Sequence, residues 1–359
     1  LRKYAETLQK VNCETSTKGE CLNRVRERVQ STPSGSWILG HGWNHNHWAE
    51  GYGSVQDLDQ ISTDHPIYLT GKSLHVSWAN TAALQKAGIS NDTQDPAGGR
   101  LGRDRSGDLT GILFEDALKL IERVIPLPTS DEIAQSISIA QENLWQMGIT
   151  GVHDFDKLAC LAALRILEEN HQLRLRVVKS IPAEGLSEAI QAGIQTGAGS
   201  DWLWYGGVKE FMDGALGPQT AAMLKPYQGT AELGMLLNSE DEIYDLGREA
   251  VSSGLALAIH AIGDLAVRTL LDALTRIREF ERDQGLSPLP HRIEHLQVIH
   301  PLDIPRLADL GITASMQPIH ATSDMSMAEN LWGDRTRYAY APKLQIEQGA
   351  RVIFGSDAP

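Results

Sequence analysis

Four side chains that could bind a metal ion stand at or near the ends of short apolar runs in the second half of the chain. They are Lys209 in GGVKEFMDG, His260 in LALAIHAIGD, His295 in HRIEHLQ and Asp357 in RVIFGSD. Histidine nitrogens and a carboxylate oxygen are the ligands that a hydrolytic zinc or similar ion requires. Taken singly, a strand-end histidine is more often structural, and an aspartate after Gly-Ser often caps a turn or helix. Their recurrence after four separate runs predicts a metal-dependent hydrolytic site.

A more conspicuous motif is the H-x-H pair His45 and His47 in GHGWNHNHW. Histidines one residue apart point to the same side of an extended chain, as a metal site at a strand end requires. This pair, however, follows only the short run WILG and lies among glycines and tryptophans. We therefore expect no metal ligation by His45 or His47, while a role at the edge of a pocket stays open.

The run HRIEH also matches the H-x-x-E-H pattern of inverted zinc peptidases. That chemistry needs a helix, on which both histidines share one face with the glutamate. Pro288 and Pro290 precede the run, which favours an extended segment that enters a helix near Pro301. In a strand His291, Ile293 and His295 would face one way and Arg292 and Glu294 the other, so the peptidase interpretation is disfavoured.

The spacing of the apolar runs indicates which elements carry these side chains. A helical segment, DEIAQSISIAQENLWQMG, precedes strand-like runs that alternate with further helical segments. The seven runs cover residues 149–155, 173–180, 206–214, 255–264, 291–297, 311–318 and 351–357. Strands alternating with helices imply parallel pairing and right-handed crossovers. The predicted fold is α/β, a (β/α)8 TIM-type barrel whose first strand we expect before residue 1.

In such a barrel the active site lies at the C-terminal ends of the strands. Besides the four residues above, these ends carry His153 and Asp154 on the second strand and Asp213 on the fourth.

The first 126 residues have a different sequence pattern. Residues 1–36 are predicted to form the first helical region of the barrel, with a helix beginning near Thr17. Residues 37–126 alternate short apolar runs with Gly, Asp and Asn clusters, which predicts an inserted, loop-rich α+β module that caps the barrel. Residues 127–359 would carry strands two to eight. For the tryptophans of the module, core packing is the favoured interpretation and lining of the cleft the alternative; they are Trp37, Trp43, Trp48 and Trp78.

Composition narrows the functional classes. The formal net charge of −14 argues against nucleic acid or an anionic membrane as partner. No run of about twenty apolar residues would span a membrane. The three cysteines, Cys13, Cys21 and Cys160, contain no C-x-x-C pair and predict free thiols in a reducing, cytoplasmic setting.

Several runs together resemble the amidohydrolase superfamily, in particular its branch of N-substituted formamide deformylase and YtcJ-like metal-dependent hydrolases. They are GVKEFMDGALGPQTAAMLKPY, LAIHAIGDLAV, HRIEHLQVI, ASMQPIHATSDM and FGSDAP, with GHGWNHNHW, HVSWANTAALQKAGI and DPAGGRLGRDRSGDLTGILFEDA in the module. The resemblance covers nearly the whole chain.

The resemblance implies a role for each residue of the predicted site. His260 and His295 would bind one divalent metal ion, with zinc favoured. Asp357 would bind a second ion, hold the attacking water and take its proton. Lys209 would bridge the two ions after carboxylation of its amine, because an unmodified lysine is a cation and a poor ligand.

The resemblance also implies parts that this chain lacks. The first-strand H-x-H ligands and the small β-sandwich of the family are absent between residues 1 and 359, and we expect them in a longer protein. Six residues in family-like runs are candidates for substrate binding: His75, Glu115, Asp213, His320, Asp324 and Arg337. The family's Asp-Gly-His run reads Ser-Leu-His at His75.

The predicted function is metal-dependent hydrolysis of a C–N bond in an amide, an N-substituted formamide or a related N-acyl compound. The substrate would be a small molecule, and a homodimer is compatible with this interpretation. Two alternatives stay open: an esterase or lactonase that uses the same metal site, and a catalytically inactive barrel that acts as a binding module.

Overall fold

The alternation of helices and strands predicted from residue 130 onward is present in the structure, a computed structural model that describes residues 1–358. The chain forms two units, Leu1–Tyr4 with Ser130–Pro359 and Ala5–Thr129. We call the first the barrel unit and the second the module. The boundary falls within the first helix, α1 (Arg2–Gln9).

The module contains a six-stranded sheet with short helices. Its strands are β1 (Val11–Asn12), β2 (Ile38–Trp43), β3 (Ile67–Gly71), β4 (Val76–Ala79), β5 (Gly99–Arg103) and β6 (Leu109–Glu115), in the order β1-β2-β3-β4-β6-β5. Its helices are α2 (Lys18–Gln30), α3 (Val55–Asp59), α4 (Thr81–Lys86) and α5 (Leu118–Glu122), with a 3-10 helix at His45–His47. The side chain of Thr17 caps α2, as predicted, because it accepts a hydrogen bond from the Glu20 N–H.

Tryptophans form the core of the module. Trp43 and Trp78 are almost fully buried, at 1% and 0% exposure. The ring of Trp43 stacks on Trp48 with centroids 5.8 Å apart, and its Nε1 donates to the Leu69 carbonyl at 2.8 Å. Core packing, the favoured interpretation of these tryptophans, is therefore confirmed.

The barrel unit is built on seven parallel strands among the described residues. They are β7 (Gly151–Asp154), β8 (Arg176–Pro182), β9 (Leu203–Phe211), β10 (Leu257–Ala261), β11 (Arg292–His295), β12 (Thr313–Met316) and β13 (Val352–Phe354), each paired with the next along the chain. The predicted α/β barrel architecture is confirmed. Four residues of the run HRIEH, Arg292–His295, form the extended strand β11. The run is therefore not the helix that an inverted zinc peptidase needs.

Helices connect these strands. They are α6 (Ser130–Gln146), α7 (Leu158–Glu169), α8 (Leu186–Gln191), α9 (Glu240–Ser252), α10 (Asp264–Asp283), α11 (Arg306–Asp309), α12 (Pro318–Trp332) and α13 (Pro342–Glu347), with 3-10 helices at Ala183–Gly185, Pro301–Asp303 and Gly333–Tyr338. A capping box fixes the start of α9, because Ser239 and Glu242 satisfy each other's backbone N–H groups.

The helices cover one face of the barrel sheet. A Cβ atom added to Gly247 of α9 would come within 3.2 Å of Leu257 on β10, so this side chain points toward the helices. Ile259 lies two residues further along β10 and is completely buried. Because side chains alternate along a strand, Ala258 and His260 point to the opposite face, which we call the inner face.

The structure differs from the sequence prediction in where the barrel begins. Residues 5–36, predicted to belong to the barrel, fall in the module. The reason is local: β1 pairs in parallel with β2, which ties the segment after α1 to the module sheet. In the described part of the chain no helix has the length and apolar character needed to cross a membrane. Cys13, Cys21 and Cys160 are buried free thiols, as predicted.

Candidate functional site

Strand register brings the predicted residues of β9, β10 and β11 to one face. Lys209 pairs with Ala258, and Ala258 with Arg292. Two residues further along each strand, toward the C-terminal ends, Phe211 pairs with His260 and His260 with Glu294. Paired residues of parallel strands point to the same side of a sheet. All six therefore share the inner face; they are Lys209, Phe211, Ala258, His260, Arg292 and Glu294.

His260 has one ring nitrogen committed to the protein. Its Nε2 lies 2.9 Å from the carbonyl oxygen of Gly214, which can only accept a hydrogen bond. Nε2 therefore carries the hydrogen and Nδ1 keeps a lone pair. Burial lowers the pKa of His260 to about 3, and the charge of His295 acts in the same direction. The neutral ring is the form that binds a metal ion.

His295 reaches the same place by a departure from strand geometry. Its backbone has φ 75°, in the left-handed region, and Leu296 follows at φ 46°. Its ring centroid lies 4.5 Å from that of His260. Nδ1 of His295 is buried without a hydrogen-bond partner among the described residues, and burial lowers the pKa of the ring to about 3.

Because of this backbone turn, the side chain of His295 does not point in the direction predicted from strand alternation. His291 and Ile293 do lie on the helix side, where the His291 ring contacts Glu281 of α10 at 3.2 Å. His295 was expected to face with them but instead joins His260, because its left-handed conformation ends the alternation. Arg292 and Glu294 occupy the inner face.

Asp357 and His320 complete a cluster with His295. Nε2 of His320 lies 3.3 Å from Oδ2 of Asp357. One ligand atom from each of the three side chains falls within 4.8 Å of the others. His320 was predicted to bind substrate, and the structure places it among side chains that could hold a cation. Asp357 also has a left-handed backbone, with φ 56°.

Lys209 is a buried cation of the inner face. It is 9% exposed, its Nζ donates to the Glu210 carbonyl at 3.1 Å, and it stands 3.6 Å from the centroid of the Phe211 ring. Burial lowers the pKa of Lys209 to about 8, although the negative charges of Glu294, Glu210 and Asp357 oppose that shift. The neutral amine, the form that reacts with carbon dioxide, is therefore more accessible at Lys209 than at an ordinary lysine.

Sequence reasoning missed a charged network beside Lys209. Nε of Arg292 lies 2.6 Å from Oε1 of Glu294, and Nη1 donates to Nδ1 of His153 at 2.7 Å. Burial and the nearby Arg292 charge lower the pKa of His153 to about 4. Strand alternation was the signal that could have placed Arg292 and Glu294 on the face of Lys209, whereas the contact with His153 of β7 has no such signal.

Asp154, the neighbour of His153, lies on the opposite face of β7. Its carboxylate forms an ion pair with Lys179 of β8 at 2.9 Å, and both side chains are fully buried. Cys160 of α7 lies 3.8 Å from the same carboxylate. Asp154 was expected at the functional rim together with His153, but strand alternation directs it to the helix layer.

Asp213 holds the loops around His260. Its two carboxylate oxygens accept backbone N–H groups from three residues at 2.8–3.0 Å, namely Ala222, Ile262 and Gly263. Burial raises its pKa to about 7, against the effect of these hydrogen bonds. Its predicted contact with substrate stays a prediction, and the observed contacts make it a positioning residue.

Two further candidates lie on the segments after β12. Asp324 of α12 accepts a hydrogen bond from the Tyr340 hydroxyl at 3.0 Å. Arg337 is exposed in the 3-10 helix Gly333–Tyr338. Their roles in substrate binding stay predictions.

The remaining candidates lie in the module. Nδ1 of His75 is 2.9 Å from Oε2 of Glu115, so the structure pairs two residues that were selected separately. Both are exposed, and Glu115 has a left-handed backbone at φ 51°. His45 stacks on Tyr52, and Nε2 of His47 lies 3.5 Å from Asn44. Within residues 1–358 no three-ligand cluster includes either histidine of this H-x-H pair.

A divalent cation fits the donors of the barrel unit. His260 and His295 are neutral, Nδ1 of His260 keeps a lone pair, Nδ1 of His295 is buried without a partner among the described residues, and Asp357 adds an anionic oxygen. Buried acceptors without partners are costly in a folded protein, and a bound cation would satisfy them.

Comparison with known proteins identifies a matching family. The sequence model of the amidohydrolase family matches residues 3–359. The putative amidohydrolase YtcJ of Bacillus subtilis is 31% identical over 96% of this chain and 65% of its own length. The N-substituted formamide deformylase of Arthrobacter pascens is 27% identical over 97% of this chain and 67% of its own length. This chain thus spans about two thirds of these relatives.

A solved structure matches along the whole chain. An uncharacterized metal-dependent hydrolase from Pyrococcus furiosus superposes with a TM-score of 0.77 and 27% identity, covering 100% of this chain and 71% of its own.

Proposed function

This chain belongs to the amidohydrolase family, and from that premise we propose that the whole protein hydrolyses a C–N bond in a small amide, N-substituted formamide or related N-acyl compound. The proposed metal ligands are Lys209 after carboxylation, His260, His295 and Asp357. Zinc is the favoured ion because it accepts nitrogen and oxygen ligands and has no redox chemistry.

One observation carries the proposal. Two buried histidines on separate strands, each held neutral and each with an unused ring nitrogen, meet beside a carboxylate at the C-terminal ends of a parallel barrel sheet. A structural role alone would give such nitrogens hydrogen-bond partners. The C-terminal rim is also where the active sites of barrels of this kind lie.

Asp357, Asp213 and Gly214 would have different roles in the proposed reaction. A bound divalent ion would supply Lewis acidity, which lowers the pKa of water and polarises the scissile carbonyl. Asp357 would accept the proton of the attacking water and return it to the leaving nitrogen. Asp213 would keep the loops after β9 and β10 in place, so that Gly214 holds the hydrogen of His260 on Nε2.

The choice of a C–N bond rests on the family and on the name of one relative, the N-substituted formamide deformylase. The same site could attack an ester or a lactone, because the carbonyl chemistry is shared. A panel of matched amides, formamides, esters and lactones would separate these substrate classes.

The decisive experiment is metal analysis of the full-length protein, combined with assays on that panel. We expect at least one equivalent of divalent metal, and loss of metal and of hydrolysis together in His260→Ala. Protein that binds no divalent ion, or activity untouched in His260→Ala, would contradict the proposal and favour a barrel that acts as a binding module.

A further inference from the structure

Arg292 has a buried donor without a partner. Its side chain is 11% exposed; Nε contacts Glu294 and Nη1 contacts His153. Nη2 is also buried, and none of the described residues accepts a hydrogen bond from it. A guanidinium group has only donors, so an acceptor close to Arg292 would remove a substantial cost.

Lys209 lies in the same row of the inner face. Lys209 and Arg292 are separated by a single strand, and the residue between them in the register is Ala258. Only a methyl group therefore projects from the intervening position. Both cations also approach one ring, since Lys209 Nζ and Arg292 Cζ lie 5.9 and 5.4 Å from the centroid of Phe155.

The carboxylates around Lys209 stabilise its ammonium form and would repel the negative charge of a carboxylated lysine. Three carboxylates act on it, those of Glu294, Glu210 and Asp357, and one cation, Arg292. Carboxylation replaces a positive charge by a negative one and leaves Arg292 as the cation of this set. A buried anion without a partner is strongly disfavoured.

We propose that Arg292 is the counter-ion of carboxylated Lys209 and stabilises the carbamate before any metal ion binds. This inference rests on the proposed function, because it concerns the lysine that would bridge the metals. Arg292 would be a positioning residue, and addition of carbon dioxide would precede metal loading.

The step involves no change of oxidation state. The lone pair of the neutral Lys209 Nζ attacks the carbon of carbon dioxide and forms an N–C bond. One C–O π pair moves onto oxygen, and the nitrogen releases one proton to solvent. The two carbamate oxygens share the negative charge and can accept hydrogen bonds from the guanidinium group, whose planar fork matches a carboxylate-like anion.

Glu294 should oppose Arg292. It is an anion that already pairs with the guanidinium group and would repel a carbamate nearby. Neutralising Arg292 should therefore disfavour carboxylation, and neutralising Glu294 should favour it. Opposite effects from two substitutions in one ion pair cannot both arise from a general loss of folding.

The test uses full-length protein freed of metal by chelation and equilibrated with ¹³C-bicarbonate. The carbamate is measured by ¹³C NMR, with Lys209→Ala as the blank and thermal unfolding as the check on folding. Relative to wild type, we expect about a tenfold loss of carbamate in Arg292→Met, as for a lost charge-assisted hydrogen bond. Arg292→Lys should lose less, and Glu294→Gln should form more carbamate than wild type.

Two results would overturn the inference and leave the proposed function intact. One is equal carbamate in wild type and a folded Arg292→Met. The other is a wild-type carbamate that forms only after zinc is added, which would assign the stabilising charge to the metal. Absence of carbamate even with zinc, in protein that hydrolyses no member of the substrate panel, would contradict both.

Discussion

The histidines of the two units differ in what surrounds them. In the barrel unit His260 and His295 come from different strands, are neutral, and keep an unused nitrogen. In the module His45 and His47 are adjacent in the conspicuous H-x-H motif, yet they contact neighbours close in sequence, Tyr52 and Asn44. The H-x-H motif is easy to see because its histidines are close in sequence. The candidate site in the barrel unit forms because neighbouring strands bring distant residues together.

The largest effect should come from removing the barrel histidines. The double substitution His260→Ala with His295→Ala should weaken metal binding by about 10⁴-fold, because each ligand should matter more than an outer partner, whose loss costs roughly 10–100-fold. Metal content and a competition titration with a chelator would measure it.

The matched control is His45→Ala with His47→Ala in the module, for which we expect unchanged metal content. If the module variant loses metal and the barrel variant keeps it, the comparison is reversed.

The next effect concerns the tryptophan core of the module. Trp43→Ala should lower the free energy of unfolding by about 3–5 kcal/mol, since it empties a buried site between Trp48 and Trp78. Denaturant titration would measure this. Trp145→Ala, on the exposed side of α6 at 40% exposure, should change stability by roughly 0.5 kcal/mol or less. Comparable losses in the two variants would refute a tryptophan core.

Asp213→Asn should have an intermediate effect on the barrel site. The amide nitrogen replaces one of the two accepting oxygens, so a donor faces either the N–H of Ile262 or the N–H groups of Gly263 and Ala222, and the position of His260 would shift. We expect metal affinity to fall by about 10–100-fold. Asp303→Asn, at another buried aspartate of the same unit, should reduce stability and leave metal affinity unchanged. Equal metal affinities in the two variants would remove the positioning role.

The smallest effect concerns the exposed pair of the module. His75 and Glu115 are solvent-exposed, so their ion pair should contribute about 0.2–1 kcal/mol to stability. If His75 contacts substrate, His75→Asn should raise KM several-fold at constant metal content. Asp116→Asn, which breaks the exposed pair with Lys119, is the control and should leave KM unchanged.

Much of the barrel could be predicted from sequence because its strands are short apolar runs separated by helical segments. All seven predicted runs contain a strand, and the helix at DEIAQSISIAQENLWQMG is α6. The assignment of residues 5–36 could not be predicted in this way, since pairing of β1 with β2 depends on a contact across a turn and a helix.

The candidate site was predictable only in part. The residue types at the strand ends identified Lys209, His260, His295 and Asp357. The contact of Arg292 with His153 joins β11 to β7, which are not neighbours in the sheet, and a single sequence does not show it. The position of the His295 ring depends on a left-handed residue at the end of β11, which the sequence does not show either. His320 was selected for the substrate, and its contact with Asp357 became visible only in three dimensions.

The left-handed backbone at His295 and Asp357 restricts how this centre could be redesigned for another ion. Histidine, aspartate, asparagine and glycine tolerate that conformation, whereas β-branched and bulky residues are strained by about 1–3 kcal/mol. A library that varies both positions would therefore retain few alternatives, with cysteine and glutamate penalised by the backbone regardless of their affinity for the ion. Lys209 and His260, which lie on extended strands, are the positions where new ligand chemistry could be introduced at lower conformational cost.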